Sequence, residues 1–258
     1  MTPEILDLLF PNKLPTVDEI LAKYPPRQLP EGACVTRVGP SPTGNMHIGT
    51  LYQALCAERV AHQSGGVFFL RLEDTDQKRE LEGAAELIVS SLSRYGIHLD
   101  EGAGPNGTDI GNYGPYTQSK RKEIYQAFAK SLAEKGLAYP CFCTEEDVEM
   151  RRKIQTKQGL RPGYYGVHAK CRSLTDEEVL ANLKAGKPWV LRFKSPGKYE
   201  NRITIKDLIR GNLSMPENDM DIEVITLEMS AVFTLLKLLM ESEPHIGRYL
   251  IDMGLLSP

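Results

Sequence analysis

The stretch Pro40-Ser41-Pro42-Thr43-Gly44-Asn45-Met46-His47-Ile48-Gly49-Thr50 limits what this chain can fold into more than any other feature. Its prolines cannot donate to a sheet ladder and its glycines admit backbone conformations other residues avoid, so no regular element runs unbroken through it. Before it, Ala33 to Val38 reads as a strand. After it, His47 to Gln63 carries Ile48, Leu51, Leu55 and Ala61 at helical spacing, and Gly65-Gly66 stops the helix. Val67 to Leu72 then reads as a buried strand. Strand, turn, helix and strand within about 40 residues predict a βαβ unit, hence a parallel sheet with a right-handed crossover and a doubly wound α/β class.

The carboxyl edge of such a sheet is where nucleotides bind. Gly44 and Gly49 permit close backbone approach, the helix N-terminus presents N–H groups to phosphate, and His47 can donate to a phosphoryl oxygen. These are the requirements of an ATP site. At this level a plain connecting turn, with His47 as its first polar residue, stays open as the other reading.

At 258 residues, 41% apolar and 25% charged, the chain has the composition of a soluble globular protein with a well-buried core. A net charge of −3 creates no global field for a polyanion, so any nucleic-acid contact must be local. No stretch approaches the roughly 18 apolar residues of a membrane span, and no basic region followed by an apolar core opens the chain. A cytoplasmic protein without a membrane partner is expected. Five irregularly spaced cysteines argue against a secreted disulfide framework, and Cys34 and Cys56, in apolar stretches, read as buried thiols.

Residues 1–32 read as an N-terminal arm ending at Pro30-Glu31-Gly32. Leu81 to Tyr95 reads as a helix, Gly102 to Pro115 as a long polar loop, and Ser119 to Lys135 as a helix with Ile124, Phe128 and Leu132 on one stripe. Thr144-x-x-Asp147 and Thr175-x-x-Glu178 predict helix starts by capping box. Trp189 to Lys194 and Arg202 to Ile205 read as strands either side of Pro196-Gly197.

The run from Thr36-Arg37-Val38-Gly39 through Gly44 and on to His47-Ile48-Gly49 resembles the opening signature of glutamyl- and glutaminyl-tRNA synthetases, including their form of the class I HIGH motif. Arg71-Leu72-Glu73-Asp74-Thr75-Asp76 is similar to that family's second block. The likeness continues through Asp100-Glu101-Gly102, Gly114-Pro115-Tyr116-x-Gln118-Ser119-x-Arg121, Ala138-Tyr139-Pro140-Cys141-Phe142-Cys143-Thr144 and Asp207-Leu208-Ile209-Arg210-Gly211, from about Ala33 to Ile222. Pro42 with a short loop favours a bacterial-type glutamyl enzyme.

The resemblance implies a class I Rossmann-like parallel sheet carrying an inserted mixed α/β acceptor-arm domain. The expected divisions are an arm at 1–32, the first Rossmann half at 33–115, the insertion at 116–222 and a divergent or truncated segment at 223–258. It implies that Arg37 pairs with the side-chain carboxylate of L-glutamate, that Ser41 bonds the amino acid, and that Glu73 holds its α-ammonium. A guanidinium fork selects carboxylate over amide. Pro42, Thr43, Gly44, His47, Gly49 and Thr50 would bind ATP with Mg²⁺, His47 and Thr50 acting in catalysis. The implied reaction activates glutamate as glutamyl-adenylate and transfers it to tRNA(Glu), by a monomer.

Some relatives carry a Cys-x-Cys, Tyr and Cys zinc site in the insertion. Here Cys141, Cys143 and Cys171 would be three ligands and Tyr165 the fourth, with Tyr164 and His168 also in the interval. Arg151, Arg152, Lys153, Lys157 and Arg161 form a basic cluster where the family docks the acceptor arm; a solvated helix face is the competing reading.

Beyond Ile222 the resemblance implies a second Rossmann half, whose Asp-Gly-x-Pro-x-Tyr stretch and Lys-x-Ser-Lys loop find no counterpart here, and Met229 to Met240 reads as an apolar helix. A fragment that binds nucleotide weakly and charges tRNA poorly is therefore expected. A glutamyl-queuosine tRNA(Asp) synthetase and a non-catalytic tRNA-binding paralogue are the alternatives.

Overall fold

A computed structural model describes residues 1–44, 46–74, 81, 83–207 and 210–226. The apolar helix expected at Met229 to Met240 lies outside these residues, as do Asn45, Thr75, Asp76, Leu208 and Ile209 of the motifs. The described chain falls into two compact units: Leu14–Ala127, and Met1–Lys13 together with the residues from Phe128 on.

The first unit is built on a four-stranded sheet in the order β1 (Val35–Val38), β2 (Val67–Leu70), β3 (Glu101–Ala103), β4 (Asp109–Ile110). β1, β2 and β3 are parallel and β4 is antiparallel. Helix α3 (Ile48–Gln63) connects β1 to β2, the βαβ unit expected from the turn chemistry. Val35, Val38, Phe68, Phe69 and Leu70 from the strands pack with Leu51, Ala54 and Ala61 of α3 and with Ile88 and Leu92 of α4 (Ala84–Arg94). Each large apolar side chain so buried contributes about 1.5–3 kcal/mol.

The buried stripe of α3 is Leu51, Ala54, Glu58 and Ala61, not the full expected set. Ile48 is 79% exposed and Leu55 36%, because this helix is apolar on more than one face. Ile48, Leu51, Tyr52 and Leu55 line, with Tyr95 and Ile97, an open apolar groove of about 410 Å³. Cys56 faces solvent and Cys34 is half-buried, so neither is the buried thiol expected from its apolar neighbours.

The expected polar loop from Gly102 to Pro115 contains β3 and β4. Gly102 and Ala103 are buried because β3 lies against β2 so closely that a Cβ on Gly102 would sit 2.6 Å from the Leu70 carbonyl oxygen. The later part of the expected arm is tied to this region. Helix α2 (Val17–Lys23) starts at a Thr16–Glu19 capping box, Tyr24 donates to the Gly114 carbonyl at 2.7 Å, and Tyr113 donates to that of Pro25 at 2.7 Å.

The second unit contains α1 (Pro3–Leu9), which packs with α7 (Asp176–Lys184) and pairs Glu4 with Lys184 at 2.8 Å. The expected arm 1–32 is thus divided between units, and the unit boundary falls at 127/128, not at 115/116. Helix α5 (Lys122–Glu134) buries the expected stripe Ile124, Phe128 and Leu132. A three-stranded antiparallel sheet runs β5 (Ala138–Cys141), β6 (Val190–Phe193), β9 (Glu223–Thr226). β7 (Arg202–Asp207) pairs with β8 (Gly211–Pro216), so the two strands expected around Pro196-Gly197 belong to different sheets. β9 lies past the 222/223 division yet completes the first of them. Helix α6 (Glu145–Lys157) and α7 begin at the expected capping boxes on Thr144 and Thr175. Among the described residues no helix is long and apolar enough to cross a membrane.

Candidate functional site

Parallel pairing fixes where the side chains at the sheet's carboxyl edge lie. β1 ends at Val38 and β2 at Leu70, and the chain beyond β2 stays extended: Arg71 N donates to Val38 O at 3.0 Å and Glu73 N to Pro40 O at 3.0 Å. Glu73 is thereby brought over the end of β1, where Arg37 Nη1 donates to Glu73 Oε1 at 2.9 Å. Arg71 Nη2 reaches the same oxygen at 3.4 Å. Room for this carboxylate exists because residue 39 is glycine; a Cβ there would lie 2.6 Å from Glu73 Oε1 and 3.5 Å from Arg37 Cζ.

The arginines are costly to hold here. Burial, with repulsion from Arg71, pushes the Arg37 guanidinium down to about 10, against the pull of Glu73. Arg71 is 2% exposed. Arg121, also 2% exposed, donates to the carbonyls of Tyr113 and Pro115, and burial lowers its pKa. Its Nε and the hydroxyl of Tyr125 are buried without hydrogen-bond partners. Asp74 is held by Ser119, whose N and Oγ donate to it at 2.8 and 2.5 Å. The edge is therefore rich in desolvated cations, a setting that favours an anionic ligand.

The turn from Ser41 to Thr50 follows directly. Thr43 N donates to Ser41 O at 2.8 Å, and Pro42, which is buried, accepts from Leu81 N at 3.0 Å. Gly44 has φ 138°, in the region open to glycine. His47 is the N-cap of α3 with its side chain exposed and unused in capping; Leu51 N donates to its carbonyl. Gly49, on the first turn of α3, is open: nothing would lie within 4 Å of a Cβ placed there. Ser41 and Thr43 are exposed, Thr50 half-buried. The expected residues thus share one strand edge and one turn. Arg71 stands in the second motif block without a role assigned from sequence. Its i, i+2 spacing from Glu73 after a strand, which puts both on one side of an extended chain, is the signal that finds it.

In the other unit Cys141, at the end of β5, and Cys143 are brought beside Cys171, with all three sulfurs within 4.8 Å of one another. Cys143 Sγ lies 3.7 Å from Cys171 Sγ. The fourth group is Tyr164, not Tyr165. Its Oη accepts from the Cys141 thiol at 3.2 Å and from Cys171 N at 3.2 Å, and lies 3.5 Å from Cys143 Sγ. Gln155, fully buried, makes the choice: its amide bonds both N and O of Gly163 at 3.0 and 2.9 Å and turns the next residue inward. Tyr165 points elsewhere, donating to Arg161 O at 2.7 Å.

Tetrahedral coordination with metal–sulfur bonds of about 2.3 Å separates the sulfurs by roughly 3.75 Å, so this donor set fits zinc. Hydrogen bonds from Cys141 and Cys171, with help from Arg151, hold the Cys143 thiol far below its ordinary value, while the same sharing pushes Cys171 up. The basic cluster divides. Arg151 is buried against the thiols, and Arg161 is committed to Asp219 at 2.5 Å and to the ring of Tyr199. Arg152, Lys153 and Lys157 remain exposed along a groove of about 450 Å³.

A Rossmann-like α/β sheet with its polar groups gathered at the carboxyl ends of parallel strands is the class that this architecture defines. Within it, residues 33–230 match the family model for tRNA synthetases class I (E and Q), catalytic domain, and the chain belongs to that family. The match runs past Ile222, the end of the motif resemblance. Glutamate–tRNA ligase of Acetivibrio thermocellus is 51% identical over 225 residues, covering 86% of this chain and 41% of that relative. The same ligase of Clostridium beijerinckii is 48% identical over 222 residues, covering 86% and 40%. A crystal structure of a glutamate tRNA ligase from Elizabethkingia meningosepticum superposes with a TM-score of 0.68 at 29% identity, covering 88% of this chain and 48% of its own. A glutamate–tRNA synthetase structure from Elizabethkingia anophelis gives 0.67 at 30%, covering 86% and 48%. The chain spans about 40% of the length of these curated relatives.

Proposed function

We propose that this chain is the glutamate-activating part of a glutamate–tRNA ligase, and that the Arg37–Glu73 pair beneath Gly39 is the seat of the amino acid. A glutamate entering there exchanges like for like: its side-chain carboxylate takes Arg37, and its α-ammonium takes Glu73, whose Oε1 already serves two arginines. Ser41 bonds the amino acid from the adjoining turn. Desolvated guanidinium favours carboxylate over amide, which supports glutamate over glutamine.

ATP, with Mg²⁺, is held along Pro42, Thr43, Gly44, His47, Gly49 and Thr50, its phosphates toward the amide groups that open α3. The glutamate α-carboxylate attacks the α-phosphorus, forming glutamyl-adenylate and releasing pyrophosphate; the terminal ribose of tRNA(Glu) then accepts the glutamyl group. His47 and Thr50 steady charge on the phosphoryl oxygens, and positioning supplies most of the acceleration. Arg152, Lys153 and Lys157 are the phosphate-binding face for the acceptor arm. Zinc held by Cys141, Cys143, Cys171 and Tyr164 has a structural role. The protein acts as a cytoplasmic monomer.

The test is ATP–pyrophosphate exchange with tRNA present, comparing glutamate with glutamine and tRNA(Glu) with tRNA(Asp). Glutamate-dependent exchange supported by tRNA(Glu), slow in this chain alone, is expected, and Arg37→Ala should abolish it. Equal use of glutamine would remove the role given to Arg37, and glutamylation of tRNA(Asp) would move the assignment to the queuosine-modifying enzymes.

A further inference from the structure

Around the three thiols lie two buried guanidiniums that no ligand count requires. Arg151, on α6, donates from Nη2 to Cys143 Sγ at 3.5 Å, and its Cζ lies 4.7 Å from the centroid of the Tyr164 ring. Arg192, on β6, lies over the same ring at 4.3 Å. Both are below a tenth exposed. They differ in their counter-charges. Arg192 Nη2 is paired with Glu223 Oε1 at 2.7 Å. Among the described residues Arg151 has no carboxylate within ion-pair distance, and its Nη1 is buried without a hydrogen-bond partner. A buried cation needs an anion beside it. Asp221, the nearby buried acid, is taken by Arg172 at 2.8 Å and by the Tyr139 hydroxyl at 2.5 Å.

We infer that Arg151 is the counter-ion of the metal centre, a positioning residue whose guanidinium neutralises the net charge of a divalent cation held by the thiolates of Cys141, Cys143 and Cys171. The inference rests on the zinc reading above. Two positive charges on the metal and three negative on sulfur leave one negative charge. Arg151 supplies a matching positive charge with no carboxylate of its own among the described residues, whereas Arg192, which also reaches the Cys141 thiol, is already paired with Glu223. The same hydrogen bond from Nη2 fixes the direction of the Cys143 lone pairs, as outer-shell partners fix metal ligands elsewhere. Arg151 thus has a task unrelated to RNA, although it belongs to the basic run Arg151-Arg152-Lys153.

The experiment is a cobalt titration of the full chain, followed by the thiolate-to-cobalt charge-transfer absorption, with zinc competition to set the affinity. The unaltered protein should take up one equivalent. Arg151→Met, which keeps most of the packing, should still reach one equivalent but bind roughly 10- to 100-fold more weakly, as expected for loss of an outer-shell partner. Arg151→Lys, which restores the charge, should recover most of that loss. Arg152→Met, one position along the same helix and exposed, should bind as the unaltered protein does. If Arg151→Met fails to fold, judged by far-ultraviolet circular dichroism, Arg151→Gln, which removes the charge and keeps a polar end, takes its place with the same expected loss. Equal affinity in Arg151→Met and the unaltered protein, or a Lys variant no better than Met, overturns the counter-ion role while leaving the zinc reading intact. No uptake of cobalt by the unaltered protein overturns both.

Discussion

Gly39 shows how a missing side chain can set an ion pair. Gly39→Ala places a Cβ where Glu73 Oε1 now lies, so the carboxylate must leave Arg37. Losing one charge-assisted hydrogen bond of this kind costs about 1.5–3 kcal/mol, on the order of 10- to 100-fold in affinity. Calorimetric titration with a non-hydrolysable glutamyl-adenylate analogue should show that loss, and an unchanged affinity would mean the pair is not the amino-acid seat. Arg37 itself opposes folding. Its depressed pKa means the unfolded chain holds the proton more tightly, so the unfavourable contribution is complete at neutral pH and fades only as pH climbs from about 10 toward the ordinary arginine value. Arg37→Met should therefore abolish analogue binding while leaving thermal stability at pH 7 unchanged or raised; a clear drop in the melting temperature would contradict this. At this scale the turn was legible from its prolines and glycines, and Arg37 and Glu73 were expected through the resemblance alone. Arg71 and Tyr164 were not. One stood in a motif block with no role of its own, and the other was hidden by an adjacent tyrosine that only Gln155 distinguishes.

Element boundaries carry their own consequences. Thr144 and Thr175 cap α6 and α7 by the same box, and replacing either with alanine should lower stability by about 1 kcal/mol in a denaturant titration. Only Thr144→Ala should also weaken cobalt binding, since α6 carries Arg151 and begins one residue past Cys143's neighbour; equal effects from both would separate the helix start from the metal centre. At Gly102 a φ of 138° coincides with the close approach to Leu70, so Gly102→Ala should cost about 2–4 kcal/mol, measured the same way. Helix starts were readable because capping is local chemistry. β3 and β4 were hidden because a three-residue and a two-residue strand are too short to show alternation, and their glycines read as loop. The partners of β6 and β7 depend on chain segments far apart in sequence, β9 and β8, which no local pattern announces.

For the molecule as a whole, the division of the described residues into Leu14–Ala127 and, apart from it, Met1–Lys13 with the residues from Phe128 on puts the proposed amino-acid seat in one unit and the thiols in the other. A ligand stabilises only the part that holds it. Scanning calorimetry should therefore show zinc raising the transition that contains Cys141, Cys143 and Cys171, and the adenylate analogue raising the one that contains Arg37. A single transition moved equally by both would indicate one cooperative body. The parallel βαβ unit was legible from the turn, whereas the fate of the N-terminal arm was not, because Ile5 and Leu9 on α1 give no sign in the sequence of which apolar surface they will cover.

The open groove lined by Ile48, Tyr52, Leu55 and Tyr95 has a practical corollary at the bench. Fluorescent dyes that brighten on oily surfaces will already glow in the cold, native sample, so a dye-based melt begins from a raised baseline and understates the change on heating. The chain's one tryptophan, Trp189, is only half-buried and sits next to β6, so tryptophan emission, excited apart from tyrosine, follows the thiol-bearing unit alone.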